Sequence, residues 1–322
     1  MRNQPDWQPT ATRAALKSRA QQSAFVRGFF AQRDVLEVET PILGRCGVTE
    51  PNLDGIFAQL DAQGIKGGWL QTSPEYHMKR LLAAGSDSIY QISKVFRNGE
   101  RGSRHNPEFS MLEWYRTSFS DKALMEEVAD LVCGWLQCPR PQVISYREAM
   151  ITWAGIDPFV VSTKDLHQRC REWLEPEQLE DLSRDGCLDL LMSFAVEPSL
   201  GTETPVFINQ YPASQASLAR ISSVDGFDVA HRFELYIDGI ELCNGYWELT
   251  HPDEQRARFE ADNRLRIANG KPEMEIDEAF LAAIEHGLPD CAGVALGLDR
   301  LLMLKVGTRN IADVLAFPLE RA

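Results

Sequence analysis

A mixed α+β domain, with a mainly antiparallel sheet flanked by helices, is the fold class this sequence predicts. Strand-like segments come in neighbouring pairs joined by turns or loops, not in regular βαβ alternation. The sharpest pair, RFELYI and IELCNGYWEL within 232–249, alternates apolar and polar residues on either side of Asp238-Gly239. Asp-Gly favours a type I′ hairpin because Gly takes positive φ without strain. Helix-period segments lie outside these pairs, at 12–33 and 253–269.

Taken in order, residues 12–33 read as a helix, with Ala15, Leu16, Ala20, Ala24, Phe25, Phe29 and Phe30 near one face. Val35–Thr40 reads as a short strand stopped by Pro41. Residues 89–97 and 108–116 read as two strands. The ten residues between them, rich in Gly, Asn and charge, predict a long mobile hairpin loop. Residues 121–137 and 163–195 are mainly helical with breaks, and 253–269 is a charged helix. Val294–Leu298 is a strand that leads into a helix over Asp299–Val306.

The 322 residues fit one large or two small domains. Apolar residues make up 44% and charged residues 25%, as in ordinary globular enzymes. With 33 Lys+Arg against 47 Asp+Glu, the net charge is −14, which argues against extensive nucleic-acid binding, since that uses a basic surface. The N-terminus has no apolar signal-peptide core, and no stretch approaches the ~18 apolar residues of a membrane span. Seven scattered cysteines, with no CxxC, suit reduced thiols in a cytoplasm better than a disulfide framework or a zinc site.

Three groups stand out for chemistry. Arg97 ends a strand before a loop holding Arg101, Arg104 and His105, where a guanidinium fork can pair with phosphate oxygens; taken alone, a solvated cationic loop explains it as well. Glu241 and Glu248 are seven apart, so a regular strand puts them on opposite faces, whereas a bulge at Asn244-Gly245 would reverse that parity and let both hold Mg²⁺. Strand-end carboxylates facing water are the competing reading. Gly293–Gly297 leads straight to Arg300 at a helix start, which brings backbone and cation near a ligand; a strand–helix turn with a surface arginine is the alternative.

Their order changes the weighing. Helix–strand–Pro41, strand–Arg97–loop–strand, and Gly-rich strand–Arg300–helix together resemble the three signature motifs of class II aminoacyl-tRNA synthetases. TSPEYHMKRLL (72–82), VFRNGERGSRHNPEFSMLEWY (95–115), IELCNGYWELT (240–250) and GVALGLDRLLML (293–304) are similar to segments of the lysyl enzymes. The likeness covers residues ~12–320. The catalytic pattern starts within the first dozen residues, where lysyl-tRNA synthetases carry an OB-type anticodon-binding domain. A single catalytic domain over 1–322 without that appendage is therefore expected. With SPEYHMKR and PASQASLA (212–219), the chain is closest in pattern to the elongation factor P β-lysine ligases, paralogues of the lysyl enzymes.

The resemblance implies ATP as co-substrate with Mg²⁺, lysine or β-lysine as the activated acid, elongation factor P as the protein partner, and a homodimer built on 12–41. It implies no role for tRNA and no membrane. It places Arg97 on the ATP α-phosphate and Arg300, with His105, on the γ-phosphate. Asn98, Asn106, Glu241, Leu242 and Gly297 also fall at the nucleotide. Glu241 becomes a Mg²⁺ ligand and Glu248 a second. Ser73, Pro74 and Glu75 form one wall of the amino-acid pocket, with Glu75 on the ammonium next to the carboxylate. Tyr115 and Glu248 meet the distal ammonium, with Glu113 nearby. A doubly cationic substrate requires carboxylates at both ends, because an unpaired buried charge is costly.

Two departures matter. Motif 2 usually reads Phe-Arg-x-Glu, whereas here Gly99 takes the acidic place and Glu100 follows it, so either Glu100 swings in or Gly99 serves through its backbone. Ala295 stands where the lysyl enzymes have Gly, trimming the pocket by a methyl. Two rival functions remain open at this point: a minimal lysyl-tRNA synthetase, and an inactive paralogue acting as a regulatory binding module. Retention of Arg97, Glu241 and Arg300 weighs against the second.

Overall fold

The computed structural model describes residues 7–62, 64–179 and 182–322. The chain opens with α1 (Arg13–Ala31), β1 (Leu36–Glu37), β2 (Leu43–Gly44), β3 (Ile56–Ala62), β4 (Ile65–Leu70), α2 (Glu75–Ala83), β5 (Ile89–Phe96) and β6 (Glu108–Thr117). It continues with α3 (Asp121–Leu136), β7 (Gln142–Ser145), α4 (Tyr146–Ala149), α5 (Thr163–Cys170), α6 (Pro176–Leu179), α7 (Arg184–Leu191), β8 (Val206–Pro212), β9 (Ile221–Val224), β10 (Phe227–Ile237) and β11 (Ile240–Trp247). It ends with α8 (Pro252–Ala268), α9 (Glu278–Gly287), β12 (Cys291–Gly297) and α10 (Leu298–Val306). These elements fall into two compact units: residues up to Ser118 together with Thr250–Ala322, and Phe119–Leu249. Among the described residues no helix is long and apolar enough to cross a membrane.

In the first unit the strands run in the order β1-β5-β6-β12. β1 is parallel to β5, and β5-β6 and β6-β12 are antiparallel. Thr12 caps α1, its hydroxyl accepting from the Ala15 amide at 3.1 Å. The apolar stripe of α1 seats Phe30 on the sheet, stacked on Tyr90 at 4.3 Å and edge-on to Trp114 at 5.5 Å. Aromatic pairs in these geometries contribute beyond their buried area. On the other side of the unit Tyr76 of α2 stacks on Phe280 of α9 at 4.5 Å, with Phe259 of α8 at 5.7 Å. A small sheet, β2-β4-β3, completes the unit.

The 98–107 connection, expected as a long hairpin loop, is tied to the C-terminal segment. Ser103 O accepts from the Ile311 amide at 2.7 Å, Asn106 Oδ1 accepts from the Leu319 amide at 3.1 Å, and Arg101 pairs with Glu320 at 2.7 Å.

In the second unit the order is β11-β10-β8-β7, with β9 also on β10 and β7 parallel to β8. The turn between β10 and β11 has φ 56° at Asp238 and 67° at Gly239, the two positive values a type I′ turn requires. The stretch expected to be helical with breaks is α5, α6 and α7, which runs on into a π-helical turn at Met192–Val196. Ser162 and Ser183 cap α5 and α7. Leu166, Leu188, Leu191, Ile208 and Tyr236 are buried in one apolar cluster.

The bulge in β11 is not at Asn244-Gly245. Leu235 faces Cys243 while Tyr236 faces Glu241, so Leu242 is the extra residue. Gly245 serves packing instead. A Cβ there would lie 2.4 Å from the Phe233 ring, so this glycine admits an aromatic face across the strand pair.

Candidate active site

The β5–β6 hairpin and α2 build a buried carboxylate cradle within the first unit. Glu113 and Tyr115 are two apart on β6 and so share a face. Tyr115 Oη donates to Glu113 Oε1 at 2.7 Å, and Ser73 Oγ donates to Glu113 Oε2 at 2.7 Å. Ser73 also accepts from the Glu75 amide at 3.1 Å, and buried Pro74 stands at the N-cap of α2. One turn on, Lys79 Nζ lies 2.5 Å from Glu75 Oε1, although Lys79 is only 1% exposed. Its ammonium stands 6.0 Å above the Tyr115 ring and 5.9 Å above Phe280.

Burial, followed by the charge of Glu75, pushes Glu113 up to about 7, against the pull of Tyr115, Ser73 and Lys79. The cradle thus holds two carboxylates against one resident cation. Its electrostatics suit one further ammonium.

The phosphate end is built on the same hairpin. Arg97 follows β5, with its amide donating to Pro107 O at 2.9 Å and its guanidinium 5.1 Å from the Phe109 ring centre. Glu100 turns toward Arg97 at 3.4 Å, and the buried Arg97 Nε has no hydrogen-bond partner. Arg300, in the first turn of α10, lies 2.7 Å from His105 Nε2. Burial, followed by the charge of Arg300, lowers the His105 pKa, and Arg97 acts in the same direction. The imidazole is therefore neutral at pH 7 and accepts from Arg300, within the electrostatic reach of both arginines.

The residue before Arg300 anchors the start of α10. Asp299, 1% exposed, pairs with Arg19 of α1 and accepts from the Ser110 amide at 2.6 Å. Asn106 is buried, with its amide nitrogen donating to Glu108 O at 2.6 Å. Asn98 is exposed and its amide donates to Asp54 O at 2.7 Å; Gly99 has φ 80°. Gly297 ends β12 opposite Met111 and is the N-cap residue of α10.

In the second unit the bulge decides the parity question. Arg232, Glu234 and Tyr236 alternate on one face of β10, and their partners on β11 are Tyr246, Asn244 and Glu241. Glu248 continues the alternation after Tyr246, so Glu241 and Glu248 share a face. Leu242 is buried, and Glu248 is 1% exposed with its carbonyl accepting from Arg220 at 2.6 Å. Among the described residues no group of three His, Cys, Asp or Glu side chains gathers as a metal cage. A cation held by Glu241 and Glu248 would need further oxygen ligands from phosphate or water, which is the usual way Mg²⁺ is bound.

Sequence reasoning missed two groups. Lys79 reads as an i,i+4 partner of Glu75 on a solvated helix face, and only the fold buries it. Glu234 is buried among Tyr211, Tyr236 and Arg232 and lines a cavity with Glu241; the alternating RFELYI pattern offers no sign of this.

The family model described as tRNA synthetases class II (D, K and N) matches residues 5–321. A protein of Proteus mirabilis named "Elongation factor P--(R)-beta-lysine ligase" is 50% identical over 322 residues, covering 98% of each chain. Proteins with the same name from Avibacterium paragallinarum and Edwardsiella ictaluri are 49% and 47% identical, covering 98% and 100% of each chain.

Proposed function

We propose, on the premise that this chain belongs to the class II tRNA synthetase family (D, K and N), that it joins a lysine-type amino acid to elongation factor P. It is an ATP-dependent ligase, and its activated acid is (R)-β-lysine or lysine. The observation that carries this reading is in the first unit. One β-hairpin carries Arg97 and His105, the partner of Arg300, and also Glu113, the centre of the cradle that Ser73 and Glu75 complete. The first set suits a polyphosphate, the second an amine-bearing acid.

The chemistry follows in two steps. A carboxylate oxygen of the amino acid attacks the α-phosphorus of ATP, pyrophosphate leaves, and an aminoacyl-adenylate forms. Arg97 stabilises charge building on the α-phosphate, and Arg300, paired with His105, holds the γ-phosphate. Asn98, Gly99, Asn106, Leu242 and Gly297 complete the nucleotide contacts. The wall made by Ser73, Pro74 and Glu75 takes the amino-acid end, and Glu113 with Tyr115 takes the distal ammonium. Glu241 with Glu248 would hold Mg²⁺, which when bound offsets phosphate charge. The neutral amine of the acceptor lysine then forms the amide and releases AMP; its reference pKa of ~10.4 means that it must first lose a proton. A homodimer built on α1 and β1, working in the cytoplasm, completes the reading; Leu36 on β1 is 61% exposed, as an unpaired interface residue would be.

Mass spectrometry of elongation factor P after incubation with ATP and each lysine isomer tests this. One added lysyl residue, largest with the (R)-β isomer, is the expected result. Efficient charging of tRNA(Lys) with the protein left unmodified would overturn it.

A further inference from the structure

Three side chains of the second unit that the ligation chemistry leaves unused stand in one hydrogen-bonded line. Asp121, at the start of α3, has its Oδ2 3.0 Å from His231 Nδ1. Ser222 Oγ, on β9, lies 2.9 Å from His231 Nε2. An ionised carboxylate only accepts, so Nδ1 carries the ring proton and Nε2 accepts from the serine hydroxyl. A hydroxyl within 2.6–3.2 Å of a base, with a third group orienting that base, is the arrangement that activates a serine.

The surroundings keep that order. Asp121 is buried, and its Oδ1 accepts from the Lys122 amide at 3.0 Å, which leaves Oδ2 for the imidazole. The His231 ring stands edge-on to Trp247, with centroids 5.1 Å apart and planes at 82°. The carboxylate is thus the buried end of the line. Ser222 is half-buried, on a strand that pairs with β10 alone among the described strands, so the reactive end meets the surface. The His231 amide donates to Arg220 O at 2.8 Å, so the backbone of Ser222, two residues on, also faces β10. The Ser223 amide therefore points the other way, to the open edge. The amide after the nucleophile is one that serine hydrolases use to hold the developing oxyanion.

We propose that Ser222 is a nucleophile outside the ligation site, which takes an acyl group from an activated ester or acyl phosphate anhydride, with His231 as its base and Asp121 positioning that base. In the step Ser222 gives its proton to His231 Nε2, and Oγ bonds to the acyl carbon. The leaving oxygen departs with the bonding pair. The imidazolium, stabilised by Asp121, passes the proton to that oxygen or, for a phosphate leaving group, to water. The product is an acyl ester on Ser222. This step needs neither ATP nor a metal ion, and it stands apart from the ligase reading.

The test treats the full chain with p-nitrophenyl acetate and locates the acetyl group by peptide mass spectrometry. Ser223, exposed on the same strand, is the internal control. Ser222 should be acetylated about 10²–10⁴-fold faster than Ser223, the range a positioned base supplies. His231→Gln should abolish that preference. Asp121→Asn, whose amide can donate to Nδ1 and so favours the wrong tautomer, should lower it by a comparable factor. Ser222→Cys keeps a nucleophile in place and should take the acetyl group as a thioester. Lysine-dependent ATP–pyrophosphate exchange should be unchanged in all three variants, which also reports that they are folded. A second arm supplies ATP and lysine without elongation factor P. A lysyl ester on Ser222 would assign the acyl source to the adenylate that the chain makes, and its absence beside ready acetylation would assign it to external esters. Equal acetylation of Ser222 and Ser223 in the parent, or a preference that survives His231→Gln, overturns the proposal. Absence of exchange in the parent would count against the ligase reading alone.

Discussion

Glu113 is sealed from water and Glu75 is partly covered, and both charges are already answered by Lys79, Ser73 and Tyr115. At Arg97 and Arg300 the cations keep some exposure and are met by one carboxylate at 3.4 Å and one neutral imidazole. The contrast follows from what each region must survive when empty. A buried carboxylate pair with no resident cation would neutralise itself or disrupt its surroundings. Half-solvated guanidiniums keep water as a partner, so they can wait for an anion with little stability at stake. The cradle should therefore report on folding and the phosphate end on catalysis.

The largest expected effect is on the cradle. Lys79→Met leaves buried Glu113 and half-buried Glu75 without their resident cation and should cost about 3–5 kcal/mol of stability in urea unfolding. Adding Glu75→Gln should restore a large part of that loss, since the two sites are directly coupled. A cost below about 1 kcal/mol for the single variant would break the contrast, because Lys79 would then be dispensable to the folded state.

The phosphate end should behave in the opposite way. Arg97→Ala and Arg300→Ala should each lower kcat for pyrophosphate exchange by about 10²–10³-fold. Stability should change by no more than about 0.5 kcal/mol, the usual range for side chains away from the core. A large stability loss with activity retained would reverse the assignment.

How much of this could be read in advance depended on whether the signal was local. The type I′ turn was legible because Asp238-Gly239 states its own backbone requirement. Arg97 and Arg300 were legible because each sits at the end of a strand or the start of a helix, inside a recognisable block. The bulge was expected from the glycine at 245, but that glycine makes room for Phe233, and the extra residue is Leu242. Nothing in the strand itself separates those two uses of glycine. Lys79 was illegible because its burial comes from β6 and α9, distant in sequence. The cavity that Glu234 and Glu241 line was illegible for the same reason, since its walls come from Tyr146, from 189–197 and from β8, β10 and β11.

Acid titration sharpens the contrast at lower amplitude. Glu113 is raised from 4.5 to about 7, so the folded state holds its proton more tightly than the unfolded chain. Stability from this group is full below pH 4.5 and is lost as pH rises toward 7, with a slope of at most ~1.4 kcal/mol per pH unit. Glu113→Gln should flatten that segment of the stability profile. An unchanged profile would mean that another group sets it.

The smallest effect belongs to His105. With its pKa lowered, the imidazole is neutral at pH 7 and fixes the direction of Arg300 by accepting its proton at 2.7 Å. His105→Phe removes the acceptor while keeping an aromatic ring, so the KM for ATP should rise about 2–10-fold with kcat nearly unchanged, as loss of one hydrogen bond predicts. Because imidazolium cannot accept, the gap between the variant and the parent should narrow as pH falls through the lowered imidazole pKa. If kcat falls as far as it does in Arg300→Ala, His105 is part of the charge-stabilising set and not merely the support that aims it.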